Sequence, residues 1–138
     1  MLPPNVLNPY CPSRQILELL ANKWTLLIVR VLSQGTRRYG EIQREVGGVT
    51  QKMLTQTLRE LEQNGIVKRV AHPLIPPKVE YSLTPLGKSL IKPLDAICLW
   101  SEQNFAEIAD AREAYQAATL NKEFETGCVL SDDVTFQK

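Results

Sequence analysis

Leu54, Leu58 and Leu61 recur at spacings of four and three, the repeat of one apolar helix face. Thr50 stands where a hydroxyl can accept from an unpaired backbone N–H, and Asn64-Gly65 supplies a left-handed stop, so a helix is predicted over 50–64. Its opposite face carries Gln51, Lys52, Thr55, Gln56, Arg59 and Gln63. A polar outer face is the ordinary condition of a solvated helix; the segments that follow give this one a different meaning. Ile66 to Val70 and Lys78 to Leu83 are β-rich runs, and the proline-rich insert His72 to Pro77 is expected not to pair, which predicts a ribbon with a stiff tip. Thr84-Pro85 then opens another helix, with threonine as cap and proline at the first helical position, where its missing N–H costs nothing.

Upstream, Pro12 to Ala21 forms a predicted helix with Ile16, Leu17 and Leu20 inward, and Trp24 to Leu32 a second, nearly all apolar and expected to be buried. Tyr39 to Val46 fits a third, with Ile42 and Val46 inward, and Gly47-Gly48 turns the chain into the 50–64 helix. Residues 39–64 then make a helix-turn-helix and 66–84 a wing. From Pro85 toward Ala118 the pattern is helical, and Pro93 is expected to kink or split it. Leu86, Leu90, Ile91, Leu94, Ile97, Cys98, Trp100, Phe105 and Ile108 cover more than one face of that segment. One stripe closes a small core, so the surplus predicts burial against a second subunit; the alternative is a helix wrapped around its own domain. The fold class is therefore mainly α with a small β-wing: a winged helix-turn-helix over 11–118, with helices 85–118 for dimerisation and a 1–10 arm before them. The tail 119–138, with Asp132-Asp133 and no periodicity, is expected to be flexible.

The net charge of +1 argues weakly against nucleic-acid binding, but its distribution argues for it. Residues 36–80 hold eight Lys or Arg against five acids, and residues 81–138 five against nine, so positive charge gathers around the 50–64 helix and the ribbon. At 138 residues the chain suits one domain. No segment approaches the roughly 20 apolar residues that span a bilayer, and a cytoplasmic location is expected. Catalysis has little support: His72 is the single histidine, without a nucleophile at suggestive spacing, and no phosphate loop or paired-carboxylate pattern occurs. Cys11, Cys98 and Cys128 are too few and too separated for a zinc signature, so no metal or cofactor is expected. Cys98 is read as packing and Cys128 as exposed in the tail. Cys11, just before Pro12 and near Arg14, occupies or adjoins a helix N-cap, where the dipole favours a thiolate; a capping or half-buried thiol explains the position equally well.

The chain resembles the HxlR-type regulators, winged-helix transcription factors related to the MarR group. The resemblance is carried in order by Cys11-Pro12, Asn22 to Ile28, Arg38 to Ile42, Lys52 to Leu54, Leu58 to Glu62 and Pro76 to Gly87, over about residues 11 to 100. Tyr39-Gly40 departs from it, standing where that family usually has a phenylalanine and a small polar residue, and nothing after about Ala118 matches. The resemblance implies a transcriptional regulator, more a repressor than an activator, binding double-stranded DNA at an inverted repeat as a homodimer through the C-terminal helices and the first helix. In that arrangement Thr50, Gln51, Lys52, Thr55, Gln56 and Arg59 face base edges or nearby phosphates in the major groove. Arg37 and Arg38 are candidates for backbone phosphates, and Arg69, His72 and Lys78 for phosphate or minor-groove contacts from the wing. In members that sense redox or electrophilic stress the Cys-Pro cysteine is the sensor, which implies the same role for Cys11. The competing class is a winged helix that docks proteins instead of DNA; it would expose apolar anchors on the 50–64 helix.

Overall fold

A computed structural model describes residues 3–136, with side chains described through residue 126. Helices α1 (Pro12–Leu20), α2 (Lys23–Leu32), α3 (Tyr39–Val46), α4 (Gln51–Gln63), α5 (Pro85–Lys88) and α6 (Ile91–Phe136) accompany strands β1 (Arg37–Arg38), β2 (Val67–His72) and β3 (Lys78–Leu83). The sheet is antiparallel in the order β1-β3-β2, with Arg37 opposite Tyr81, Val67 opposite Leu83 and His72 opposite Lys78. The chain forms two units, Met1–Ala96 and Ile97–Lys138.

The first unit is built around α4. Leu54, Leu58 and Leu61 are buried together with Ile28, Val29 and Leu32 of α2, Ile42 of α3, Val67 of β2, and Tyr81 and Leu83 of β3. Each buried leucine contributes about 1.5–3 kcal/mol of transfer free energy. Thr57 lies on the same face, its hydroxyl donating to the Met53 carbonyl at 2.7 Å, so no polar atom of that side chain is stranded. The stripe fixes the rotation of the helix, and its polar positions follow on the other side.

Both ends of α4 are closed by local chemistry. The Thr50 hydroxyl accepts from the Met53 N–H at 3.2 Å. At the far end Gly65, at φ +72°, lets the Gly65 and Ile66 N–H groups reach back to the Glu62 and Leu61 carbonyls, and Ile66 enters the core. The wing starts there. Thr84, at its other end, donates its hydroxyl to the Gly65 carbonyl and its backbone N–H to the Ile66 carbonyl, and accepts from the Gly87 N–H at 3.0 Å. One threonine thus ties the root of the wing while capping α5.

Four sequence expectations are corrected. Ile16 and Leu17 of α1 are about half exposed rather than inward, and Leu19 packs on the core instead. In α2 one face is buried, through Thr25, Ile28, Val29 and Leu32, while Leu27 is exposed. His72 pairs with Lys78, because a residue preceding proline favours extended backbone, so the unpaired tip shrinks to Pro73–Pro77. The helix from Pro85 is split as expected, but at Ser89-Leu90 rather than at Pro93, which lies in the first turn of α6, where its missing N–H is harmless.

The first turns of α6 belong to the first unit: Leu94 is buried, and Asp95 pairs with Arg30 of α2 at 3.0 Å. The second unit consists of the continuation of α6, which runs through 119–136 where the pattern predicts an irregular tail. Alanine, glutamate, glutamine, lysine and arginine between Ala106 and Glu125 favour helix by backbone propensity even where no apolar stripe marks it. The side chains of Cys128 and Asp132-Asp133 lie outside the described residues.

Gly87 is buried where α5 crosses the wing root, and a Cβ there would collide with the Ile66 carbonyl oxygen and press on Leu83 at 3.2 Å. Gly87→Ala is therefore expected to destabilise the fold by about 1–3 kcal/mol. Urea unfolding measures it; an unchanged midpoint would show that α5 shifts away without loss.

Candidate nucleic-acid interface

With the leucines inward, α4 turns Gln51, Lys52, Gln56, Arg59 and Gln63 to solvent, along a shallow groove that Thr50, Thr55 and Glu60 also line. No large apolar side chain of α4 is exposed. The surface is one of amides, hydroxyls and cations on a helix whose orientation the core fixes, which suits hydrogen bonding to base edges and phosphates.

The predicted residues do not all present themselves equally. Thr55 is half-buried, with its hydroxyl 2.9 Å from the Tyr39 phenol, which in turn donates to the Gln51 carbonyl at 3.0 Å. Gln56 donates its amide nitrogen to Glu60 at 3.3 Å, so its carbonyl oxygen is the atom left outward. Gln51, Lys52 and Arg59 are exposed, and neither cation forms an ion pair among the described residues.

The wing divides into two electrostatic parts. At its root, Arg69 of β2 joins Arg59 and Glu62 of α4 around a recess of about 310 Å³ that Tyr81 floors, so the helix and the ribbon share one cationic cleft. Toward its tip, Glu80 of β3 lies 2.7 Å from the Lys78 ammonium and 3.5 Å from the His72 ring nitrogen. The hydrogen bond from Lys78 holds the Glu80 carboxyl below its ordinary range, and His72 adds to that. Of the three wing residues expected to meet phosphate, Arg69 is free to do so, and His72 and Lys78 already share an acid. Arg37 is likewise engaged, donating to Glu45 at 3.1 Å and to the Thr36 carbonyl at 3.0 Å, whereas Arg38 beside it is exposed.

Sequence reasoning left out three groups that the fold brings to this side of the problem. Arg44 of α3 and Lys68 of β2 are exposed cations; they entered the charge balance, but without a strand register or helix phase nothing marked them as surface. Tyr39 departs from the family pattern, and its hydroxyl bridge to α4 depends on a contact between helices that no local signal encodes.

Cys11 sits elsewhere in the first unit. It precedes α1 at the N-cap without capping it by a side-chain hydrogen bond. Its sulfur accepts from the Asn5 backbone N–H at 3.4 Å and lies 3.0 Å from the Ser13 hydroxyl. These contacts, the Asn5 N–H foremost, hold the thiol below its ordinary pKa. The same sulfur ties the segment from Asn5 to the start of α1, a link that Arg14 repeats by donating to the Leu7 carbonyl at 3.3 Å. Cys98, the other described free cysteine, is half-buried on α6.

The HTH-type transcriptional regulator YtfH of Escherichia coli (strain K12) is 42% identical over 109 residues, covering 79% of this chain and 86% of that protein. The solved structure of the putative transcriptional regulator ytfH from Salmonella typhimurium superposes with a TM-score of 0.76 at 41% identity, over 80% of this chain and 99% of that one. The redox regulator HypR in its oxidized form gives a TM-score of 0.63 at 39% identity, over 68% and 97% of the two chains. The family model for the HxlR-like helix-turn-helix matches residues 19–109, which takes in α2 through the wing and the start of α6. On that match and these relatives, the chain belongs to the HxlR-like helix-turn-helix family and is a winged-helix transcriptional regulator.

Proposed function

We propose that this regulator binds a specific double-stranded DNA site as a homodimer, acts as a repressor, and responds to oxidants or electrophiles through Cys11. The observation that carries the DNA reading is the outer face of α4: Gln51, Lys52, Gln56 and Arg59 point to solvent from a helix locked by three buried leucines. In the major groove, Gln51, Gln56 and Arg59 face base edges, and Lys52 meets phosphate. Arg38 and Arg69 add phosphate contacts on either side of the helix in sequence. A protein-docking use of the same fold is disfavoured because the face has no apolar anchor.

The homodimer is supported by apolar surface that the described residues of a single chain leave uncovered. Ile16 and Leu17 on α1 and Ile97, Leu99, Trp100 and Phe105 on α6 are all between 48% and 69% exposed. Burial of such a set against a symmetric copy removes it from water and presents two copies of α4 to two half-sites, which makes the target an inverted repeat. Repression and a cytoplasmic location belong to the same proposal, by analogy with transcriptional regulators; no helix among the described residues is long and apolar enough to cross a membrane.

Redox control is supported by the structural likeness to the redox regulator HypR and by the setting of Cys11. An adduct or disulfide on its sulfur removes the hydrogen bond from Asn5, releases the segment before α1, and through α1 alters how the two α4 helices are held in the dimer.

Sequencing of DNA retained from a random duplex pool is expected to return one inverted repeat. On that site Lys52→Ala weakens binding to all sequences alike and lowers the salt slope by about one, whereas Gln51→Ala relaxes selection at one position by about 1–3 kcal/mol. Binding that ignores salt contradicts the assignment, and a monomer in sedimentation at micromolar concentration removes the dimer.

For Cys11 the lowered pKa sets the sign: thiolate persists to lower pH than for an ordinary cysteine, so the alkylation rate resolved at Cys11 by mass spectrometry reaches half its maximum at lower pH than in an unstructured cysteine peptide. Ser13→Ala moves that midpoint upward. Diamide-driven release from DNA that survives Cys11→Ser would end the sensor assignment.

A further inference from the structure

Tyr39 is the first residue of α3, and its ring packs half-buried against the core. Its hydroxyl crosses the helix-turn-helix to α4, donating to the Gln51 carbonyl at 3.0 Å and meeting the Thr55 hydroxyl at 2.9 Å. A phenol carries one hydrogen; with that hydrogen on the Gln51 carbonyl, the Thr55 hydroxyl is the donor to the Tyr39 oxygen. Gln51 is the first residue of α4 and Thr55 lies one turn later on the same side. A single side chain from the preceding helix thus fastens the two ends of the first turn of α4.

That turn carries Gln51 and Lys52, and it follows Gly47-Gly48, both at positive φ and with open space where a Cβ would stand, so these two residues of the link bring no side-chain packing to hold the start of α4. Base-edge hydrogen bonds demand placement within about 0.5 Å, whereas a lysine or arginine on a flexible stem reaches a phosphate over a wider range. A brace at the start of α4 therefore bears on selection among sequences and hardly at all on general adhesion to duplex.

We propose that Tyr39 is a positioning residue for sequence discrimination: its hydroxyl, shared between the Gln51 carbonyl and the Thr55 hydroxyl, holds the first turn of α4 in the one orientation that reads bases. This rests on the DNA reading above and adds to it a role for a residue that touches no base.

The test compares affinity for the selected inverted repeat with affinity for a scrambled duplex, in the full-length chain. Tyr39→Phe keeps the ring in the core and is expected to lower the ratio about three- to tenfold, with scrambled-duplex affinity and salt slope unchanged. Thr55→Val lowers it similarly, the double variant goes no lower than the worse single one, and Thr55→Ser, which keeps the hydroxyl, retains the wild-type ratio. In free protein, hydrogen exchange at the Leu54 and Thr55 amides quickens in Tyr39→Phe. A wild-type ratio in Tyr39→Phe overturns the proposal, as does an equal loss on both duplexes, which marks a purely structural role. If the wild-type chain itself does not distinguish sequences, the DNA reading falls, and exchange alone then judges the brace: unchanged rates at those two amides dismiss it as well.

Discussion

The burial of Leu54, Leu58 and Leu61 against α2, α3 and the sheet is the constraint on which the rest of the structure depends. A helix can rotate about its own axis at little cost unless a stripe of side chains is taken out of water, and here the stripe is continuous over most of α4. The outward direction of every polar residue on α4 follows from that burial. The caps at Thr50 and Gly65 then set where the helix begins and ends, and so which residues occupy its first and last turns.

A second layer of organisation is electrostatic. The positive charge of the segment from 36 to 80 is not spread evenly over its surface: Arg37 is held by Glu45, and Lys78 and His72 by Glu80, while Arg59 and Arg69 meet at the junction of helix and ribbon. Cations gathered at that junction act in register with α4, since both are anchored to the same core through Leu58, Val67 and Tyr81. Counting charges along the sequence captures the sign of this surface and misses its pattern, because pairing depends on strand alternation and register and on helix phase, which set Lys78 beside Glu80 on one strand face and bring Arg37 to Glu45 and His72 to Glu80 across eight positions.

The periodic elements were legible in the sequence for a physical reason: α3, α4 and β3 each carry a local signal, an apolar repeat bounded by a cap, a glycine or a proline, and each has the predicted extent to within a residue. What was not legible depended on partners distant along the chain. Two-residue β1 has no alternation to detect and exists because Arg37 and Arg38 lie alongside Tyr81 and Glu80. Ile16 and Leu17 had the right spacing for a core face, but the described residues of the chain leave each about half exposed. In the candidate site, the residues of α4 were identified through helix phase, whereas the engagement of Thr55 by Tyr39 and the neutralising role of Glu80 required the packed helices and the paired strands.

Glu80 has a consequence for how such a molecule moves along a genome. With Glu80 bonded to the Lys78 ammonium, the far end of the wing carries a paired charge in place of a free cation, and a fingertip neutralised in this way adds little to the attraction that every stretch of duplex exerts on a basic protein. For a regulator of this kind, lingering on irrelevant sequence is a loss of search time. On the proposed reading of α4 as the base-contacting helix, a carboxylate midway along β3 would shorten those stops and leave the lasting ones to contacts made at the helix.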